Sequence, residues 1–405
     1  MKKIIAVTVW DSNDALIKVY TLPYINLILK LYPDVSYYVQ TFEKSSNTAS
    51  TSYSEKINLI KSRFTKSKPG KIWEYIKTVI RLTILATKKE VIGIHAFCTP
   101  GAMIGYVVSK ISGKPLIIDS LEPQAECMVE TGTWEKNSLY FKVLFYFEKL
   151  STRHARSTIC VTPTMHEYVK SKYGIVLKNY YYKPACIDIE AFQLPGNMRA
   201  SMRSSHHLSN EIVCVYAGKF GDLYLEEEVF DFFAVCYHYW NKKFKVLLLT
   251  GQSDEYIHSK AKKAGLPLEG IIKKFVAPDD VPKFMHMADF GISSIKPIPS
   301  RKYCTPIKTG EYWASGLPVV ITKNISIDSD IIEKNKIGYV LQELNKAEYH
   351  RACEAISYLL SQPGLNKKII QIARQARTFA LAETAYRGAF KSFGLTPINE
   401  PVITT

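Results

Sequence analysis

No C-x-x-C pair and no H-E-x-x-H motif occur in the 405 residues, so the ligand spacings of common zinc sites are missing. G-x-S-x-G, Walker A and G-x-G-x-x-G patterns are absent too, which removes the signatures of an α/β-hydrolase, a P-loop NTPase and a dinucleotide dehydrogenase. The eight cysteines are dispersed, and Cys160 (TICVT) and Cys214 (IVCVYAG) sit in apolar runs, as reduced, buried small hydrophobes do. No uninterrupted apolar run reaches the ~18 residues of a membrane span. The nearest, over 78–109, is cut by Lys88, Lys89 and Glu90. The opening MKKIIAVTVWDSND meets Asp11 and Asp14 too early for a signal-peptide core, so a cytoplasmic location is expected. Acidic residues are the scarce charge: 37 Asp and Glu against 53 Lys and Arg give a net +16. That surplus points to an anionic partner.

Short apolar runs rich in β-formers alternate with amphipathic stretches. Strands are expected at 4–9, 35–42, 91–97, 115–120 and 157–162, then at 211–218, 244–251, 271–277, 289–295, 318–322 and 338–341. Helical patterns such as 138–150, 226–240 and 280–288 lie between them. Strands alternating with helices predict an α/β fold with parallel sheets covered on both faces. The alternation pauses over 187–210, a polar stretch with Pro195, Gly196 and a Ser/His cluster that reads as a linker. Two doubly wound, Rossmann-like domains facing a cleft follow, at 1–190 and 191–383. A last helix, at about 384–400, is placed to cross back onto the first domain, and the final PINEPVITT reads as a loose tail. Ligands of such sheets bind outside the carboxyl ends of the strands.

The most informative stretch is CTPIKTGEYWASGLPVV, 304–320. Pro306 fixes the chain before a helix that Gly316 and Pro318 end. A helix N-terminus offers free N–H groups to a phosphate, and Lys308 adds a point charge there. Glu311 in the first turn can accept two hydrogen bonds from a vicinal diol such as ribose.

P-x-K-x-x-E-Y-x-A-x-G-x-P-V-V, carried here by Pro306, Lys308, Glu311, Tyr312, Ala314, Gly316 and Pro318, resembles the donor-binding motif of GT-B glycosyltransferases of the family 4-like group. The resemblance implies that Lys308 lies near the diphosphate of a nucleotide-sugar and that Glu311 binds its ribose. VYAGKFG (215–221) is similar to the group's strand-to-Gly-basic turn, which assigns Gly218 and Lys219 to the diphosphate. LLLTGQSDEYI, with Gly251, resembles the next strand and its loop, and FVAPDD places the backbone around Val276 near the nucleobase. Thr309 joins the donor-binding set beside Lys308. PACIDIEAF (184–192), with Asp188 and Phe192, resembles the group's linker element.

Two features of the group are absent. Eight residues before Glu311 stands Tyr303 where the group carries a second Glu, and Asp119-Ser120-Leu121-Glu122 stands where it often has a His. Retaining enzymes of this kind need no carboxylate nucleophile, since the leaving diphosphate can take the acceptor proton. Lys219 and Lys308 are then the candidate catalytic cations. His95, in IGIHAF, is a candidate for contact with sugar or acceptor at a strand end. Asp119, with Asp11, Asp14, Glu122 and Glu126, is a candidate base for an inverting reaction. No metal motif is seen, so no cofactor beyond the UDP- or GDP-linked donor is expected.

Over 56–89, ten basic residues face Glu74 alone, with Phe64, Trp73, Tyr75, Ile76 and Ile80 interleaved. Trp73, Ile76, Ile80 and Ile84 share one helical face, which suits an anionic bilayer or serves as an ordinary core face. Nucleic acid ranks lower, since no helix-turn-helix, RRM or KH pattern is present. The sequence is read as a glycosyltransferase moving sugar to a glycan or polyprenyl-diphosphate-linked acceptor in bacterial surface polysaccharide assembly, at the cytoplasmic face of the membrane. A catalytically inactive nucleotide-binding homologue and a basic membrane-associated adaptor stay open.

Overall fold

Two parallel sheets organise the described residues (1–14, 16–44 and 54–398, the Lys68 side chain aside) of the computed structural model. The first contains β1 (Lys2–Val7), β2 (Val35–Glu43), β3 (Ile57–Arg63), β4 (Val91–Phe97), β5 (Leu116–Leu121), β6 (Ser157–Cys160) and β7 (Tyr180–Tyr182). Its order is β3-β2-β1-β4-β5-β6-β7. The second contains β8 (Ile212–Ala217), β9 (Phe244–Leu249), β10 (Ile271–Lys274), β11 (Phe290–Ser293), β12 (Val319–Thr322) and β13 (Gly338–Leu341), ordered β10-β9-β8-β11-β12-β13. Both sheets are doubly wound. The order reverses between β1 and β4 and again between β8 and β11, and each reversal opens a crevice at the carboxyl ends of those strands.

Burial on both faces explains the near-continuous apolar strands. In β8, Val213 and Val215 enter a core with Tyr312 and Trp313, while Cys214 and Tyr216 enter a second core with Phe230 and Phe244. The expected strands form, with ends displaced by up to three residues. The two strands not expected, β3 and β7, are the sheet edges. β3 carries Lys61 and Arg63, both exposed, and β7 is a half-buried run of three tyrosines, so neither shows the apolar pattern of an interior strand.

Contacts divide the chain into Met1–Pro184 with the stretch from Ala380 onward, and Ala185–Phe379. Residues 187–210 are more ordered than a linker. Ile187, Ile189 and Phe192 belong to the core of the second unit. The helix Met198–Ser205 sends Arg199 and Arg203 to Asp289 at 2.7 and 3.3 Å. The helix Phe379–Ala389 packs in the first unit, where Tyr32 stacks on Phe390 with ring centroids 5.7 Å apart. The end of the helix expected at 384–400, and the tail from residue 399, lie outside the described residues.

Charge is buried deep in the first unit. Asp119 on β5 meets Lys183 Nζ at 3.1 Å and His95 Nε2 at 3.0 Å, and accepts the Tyr386 hydroxyl at 2.7 Å. Lys183 also lies over the Tyr24 ring, 3.4 Å from its centroid. Burial pushes the Asp119 carboxyl up, but Lys183, His95 and Tyr386 outweigh it and hold the group below the usual carboxylate range. Burial lowers the His95 pKa, which leaves a neutral imidazole.

Glu148, on the helix Leu139–His154, is a different case. It accepts the Ala125 N–H and the Tyr173 hydroxyl, both at 2.9 Å, and has no cation partner among the described residues. Burial pushes its pKa up to about 8 despite those donors. The folded state therefore holds a proton that the unfolded chain releases near pH 4.5. Stability from this group is complete below that pH, falls as pH rises toward 8, and is lost above. Glu148→Gln should flatten the dependence of the melting temperature between pH 5 and 8, removing a slope worth on the order of a few kcal/mol. An unchanged slope would remove Glu148 as its source.

Candidate functional site

The residues singled out in the second sheet converge where its strand order reverses. Gly218 follows β8, and the helix Ile307–Ala314 enters from the loop after β11. Gly218 has φ +142°, a conformation other residues rarely adopt. A Cβ there would collide with Cε of Lys308. The lysine stem thus lies against bare backbone, and Nζ sits 5.3 Å from the centroid of the Tyr224 ring. The loops after β8 and β11 are tied together, since Leu225 N–H donates to Ser294 O at 2.6 Å and Lys296 N–H to Leu223 O at 3.0 Å.

The motif residues divide into scaffold and free groups. Pro306 caps the helix without a side-chain acceptor, so the first-turn N–H groups have no side-chain cap. Tyr312 is fully buried, and its hydroxyl accepts the Ala217 N–H at 3.1 Å. A Cβ on Gly291 would come within 2.7 Å of the Tyr312 ring, so a glycine on β11 lets the helix approach. Gly316, at φ +74°, ends the helix. Thr309 is buried, with its hydroxyl 3.3 Å from Ser293 Oγ, facing the sheet. Among the described residues, Lys308 and Glu311 make no side-chain hydrogen bond or ion pair. Burial raises the pKa of the half-buried Glu311, and Lys308 opposes the shift. A cation and a carboxylate three residues apart on one helix, neither held by a hydrogen bond or ion pair among the described residues, suit at a sheet's switch point a ligand carrying phosphate and hydroxyl groups.

The other expected donor residues stand around this pair. Lys219 is exposed and bridges Asp222 at 2.9 Å, so a phosphate would compete with that carboxylate for its ammonium. Gly251 follows β9, and a Cβ on it would be 3.4 Å from Phe275, whose ring is 85 % exposed. Val276 is half-buried against the core of the second unit. The backbone at Phe275 was expected near the nucleobase, but its exposed ring, Tyr224 and Lys296 did not stand out in the sequence. Lys296 lies close enough to Asp222 and Glu226 to lower both their pKa values, and its ammonium makes no hydrogen bond or ion pair among the described residues. Each follows a strand end by a different loop length, so no fixed spacing marks them.

Behind the loop, Arg377 fixes Thr305. Its guanidinium pairs with Asp328 and donates to Thr305 Oγ1 at 2.5 Å, while Thr305 accepts the Ala185 N–H at 2.9 Å. Arg377 and Asp328 are both buried. Burial raises the Asp328 pKa even with Arg377 alongside.

His95 and Asp119 do not belong to a reactive site. Neither has accessible surface, His95 lies within β4 rather than at its end, and both are consumed by the Lys183 network. The remaining acidic candidates of the first unit also have partners. Asp11 accepts the N–H groups of Asn13 and Lys44 at 2.9 and 2.6 Å, Asp14 accepts that of Leu16 at 2.9 Å, and Glu126 pairs with Lys172 at 2.8 Å. Glu122 likewise has an interaction partner. No group of three or more His, Cys, Asp or Glu among the described residues is placed to hold a metal ion.

Two substitutions separate scaffold from site. Arg377→Ala leaves Asp328 buried and unpaired and should destabilise the fold by about 3–5 kcal/mol, read by denaturant unfolding. Gly218→Ala should cost about 1–3 kcal/mol of backbone strain and displace Lys308. An alanine variant as stable as the parent, with the Lys308 stem unmoved in a crystal structure, would contradict the close approach described above.

Residues 234–357 match the model of the glucosyltransferase 3-like, C-terminal domain. No curated protein matches the sequence. Among solved structures, sucrose-phosphate synthase from Thermosynechococcus elongatus is similar over 97% of this chain and 100% of its own, at 13% identity and a TM-score of 0.75. Anabaena HepE in complex with UDP-glucose covers 97% and 100%, at 14% identity and a TM-score of 0.69. WaaG, a glycosyltransferase involved in lipopolysaccharide biosynthesis, covers 96% and 98%, at 14% identity and a TM-score of 0.66. The chain has the fold of the GT-B glycosyltransferases, built on two Rossmann-like units, as the motif at 306–320 implied.

Proposed function

We infer that the chain is a glycosyltransferase whose nucleotide-diphosphate-sugar donor binds at the carboxyl edge of the second sheet. The observation that carries this reading is Lys308 and Glu311, which make no side-chain hydrogen bond or ion pair among the described residues, beside the bare backbone of Gly218. The diphosphate lies at Gly218 and the N-terminus of the helix Ile307–Ala314, where N–H groups and Lys308 meet its charge. Glu311 accepts the ribose hydroxyls, and Gly251 and Val276 border the nucleobase. HepE, a structural neighbour, is described in complex with UDP and with UDP-glucose, which supports a UDP-linked donor first and a GDP-linked one second.

In the reaction the bond between the anomeric carbon and the diphosphate oxygen breaks, and a bond from that carbon to the acceptor oxygen forms. The acceptor proton passes to the leaving diphosphate on the same face, with retention at the anomeric carbon. Lys308, the helix N-terminus and, once released from Asp222, Lys219 stabilise the growing negative charge. The burial of Asp119 and the partners held by Asp11, Asp14 and Glu126 favour this route over one that needs a free carboxylate base. The acceptor is a glycan or a polyprenyl-diphosphate-linked sugar, in a surface polysaccharide pathway at the cytoplasmic side of the membrane.

Thermal shift with UDP, GDP and their sugar conjugates tests the donor site. One nucleotide should raise the melting temperature selectively. Lys308→Ala should weaken its binding at least tenfold with the unliganded melting temperature nearly unchanged, and Glu311→Gln should weaken nucleosides that carry a ribose more than their 2′-deoxy forms. No shift with any nucleotide would sink the donor site. A shift with neither sugar transfer nor donor hydrolysis would mark a nucleotide-binding homologue without activity.

A further inference from the structure

The helix Lys68–Ala86 of the first unit has two apolar faces. Thr78, Leu82 and Ala86 are buried against the fold. Ile72, Ile76, Ile80 and Ile84, also four residues apart, point the other way and are 61, 45, 55 and 65 % exposed. The apolar stripe read from the sequence is therefore a solvent face and not the core face. Trp73 stands beside it at 57 % exposure, with Lys77 Nζ 5.4 Å from its ring centroid. Ser67 caps the helix through the Gly70 N–H at 3.3 Å, and Arg81 anchors it to Gln40 and Ser62 at 2.8 and 2.7 Å. The isoleucines are thus displayed on a rigid element.

A second helix of the same unit also shows exposed apolar side chains. The helix Cys98–Ser112 packs between Lys68–Ala86 and Leu139–His154. On the latter, Leu139, Tyr140, Val143 and Tyr146 are exposed. Arg63, Lys66, Lys71, Lys77, Lys88 and Lys89 are exposed around the first stripe. Glu74 is the sole acid from 56 to 89, and it is already paired with Lys77 at 3.0 Å.

We propose that this helical face of the first unit docks on an anionic lipid bilayer, with the isoleucine stripe and Trp73 in the acyl boundary and the flanking cations on the headgroups. An exposed apolar stripe flanked by cations fits a lipid surface in both hydrophobicity and charge. Trp73 beside the stripe suits the boundary between headgroups and acyl chains. No helix among the described residues is long and apolar enough to cross a membrane, so the helix would lie in the interface plane. The proposal deepens the transferase reading by giving its acceptor a lipid anchor, and it rests on that reading only for this last step.

Vesicle flotation of the full chain, with parallel nucleotide thermal shifts, tests it. Vesicles of phosphatidylglycerol and phosphatidylcholine should carry the protein, and pure phosphatidylcholine should carry at least tenfold less. High salt should release most of it. Ile76→Asp with Ile80→Asp should lower partitioning at least tenfold and leave the melting temperature intact, since both side chains already face solvent. Lys71→Glu with Lys77→Glu should reduce binding to anionic vesicles only. The nucleotide shift should persist in every variant, so a failed donor site and a failed docking face are read separately. Absence of vesicle binding by the parent chain would overturn the proposal. So would a concentration-dependent dimer in sedimentation that the isoleucine substitutions abolish, because the stripe would then be covered by a second copy.

Discussion

The candidate site depends on one close approach, the Lys308 stem against the backbone of Gly218. That contact exists because three conditions coincide. A glycine ends β8 in a conformation closed to other residues. The helix after β11 is drawn in by Tyr312, whose ring lies over Gly291 and whose hydroxyl takes the Ala217 N–H. The loop ahead of that helix is fixed at Thr305 by Arg377, itself neutralised by Asp328. Each of these holds Lys308 in position, and of them only Gly218 would also meet the ligand. Placing a charged group accurately takes a supporting shell, and here that shell is a buried ion pair, a tyrosine and two glycines.

The two units use charge in opposite ways. In the first, Lys183 and Asp119 have lost all contact with water and pair with each other, with the neutral His95 hydrogen-bonded alongside. In the second, Lys308 and Glu311 are half-buried and make no side-chain hydrogen bond or ion pair among the described residues. A buried charge without a partner is costly, so a fold tends to pair such groups unless a ligand does so. The contrast explains why His95 and Asp119, chemically the more reactive types, make poorer catalytic candidates than a lysine and a glutamate in a plain helix.

Much of this was legible in the sequence. Interior parallel strands such as IVCVYA declare themselves because both faces are buried, and Gly316 and Pro318 mark a helix end by backbone chemistry alone. The edge strands β3 and β7 were not legible, since one carries lysine and arginine at alternate positions and the other only tyrosines. The stretch 187–210 looked like a linker because its order comes from distant partners, with Arg199 and Arg203 reaching Asp289. His95 was misplaced for a related reason. Its partners Tyr37 and Asp119 are distant in sequence, and only the sheet order brings them together. In the helix Lys68–Ala86 the spacing of the isoleucines was visible, but spacing cannot say which of two apolar faces meets the core.

The central claim is that a nucleotide diphosphate sits on the backbone around Gly218 and on the first turn of the helix Ile307–Ala314. Amide hydrogen exchange of the full chain, with and without UDP, reads those N–H groups directly. The account predicts slowed exchange confined to peptides covering 217–221 and 306–311, with the amides of the Lys183 network unchanged. Protection centred in the first unit, or none at either segment with UDP bound, would contradict it.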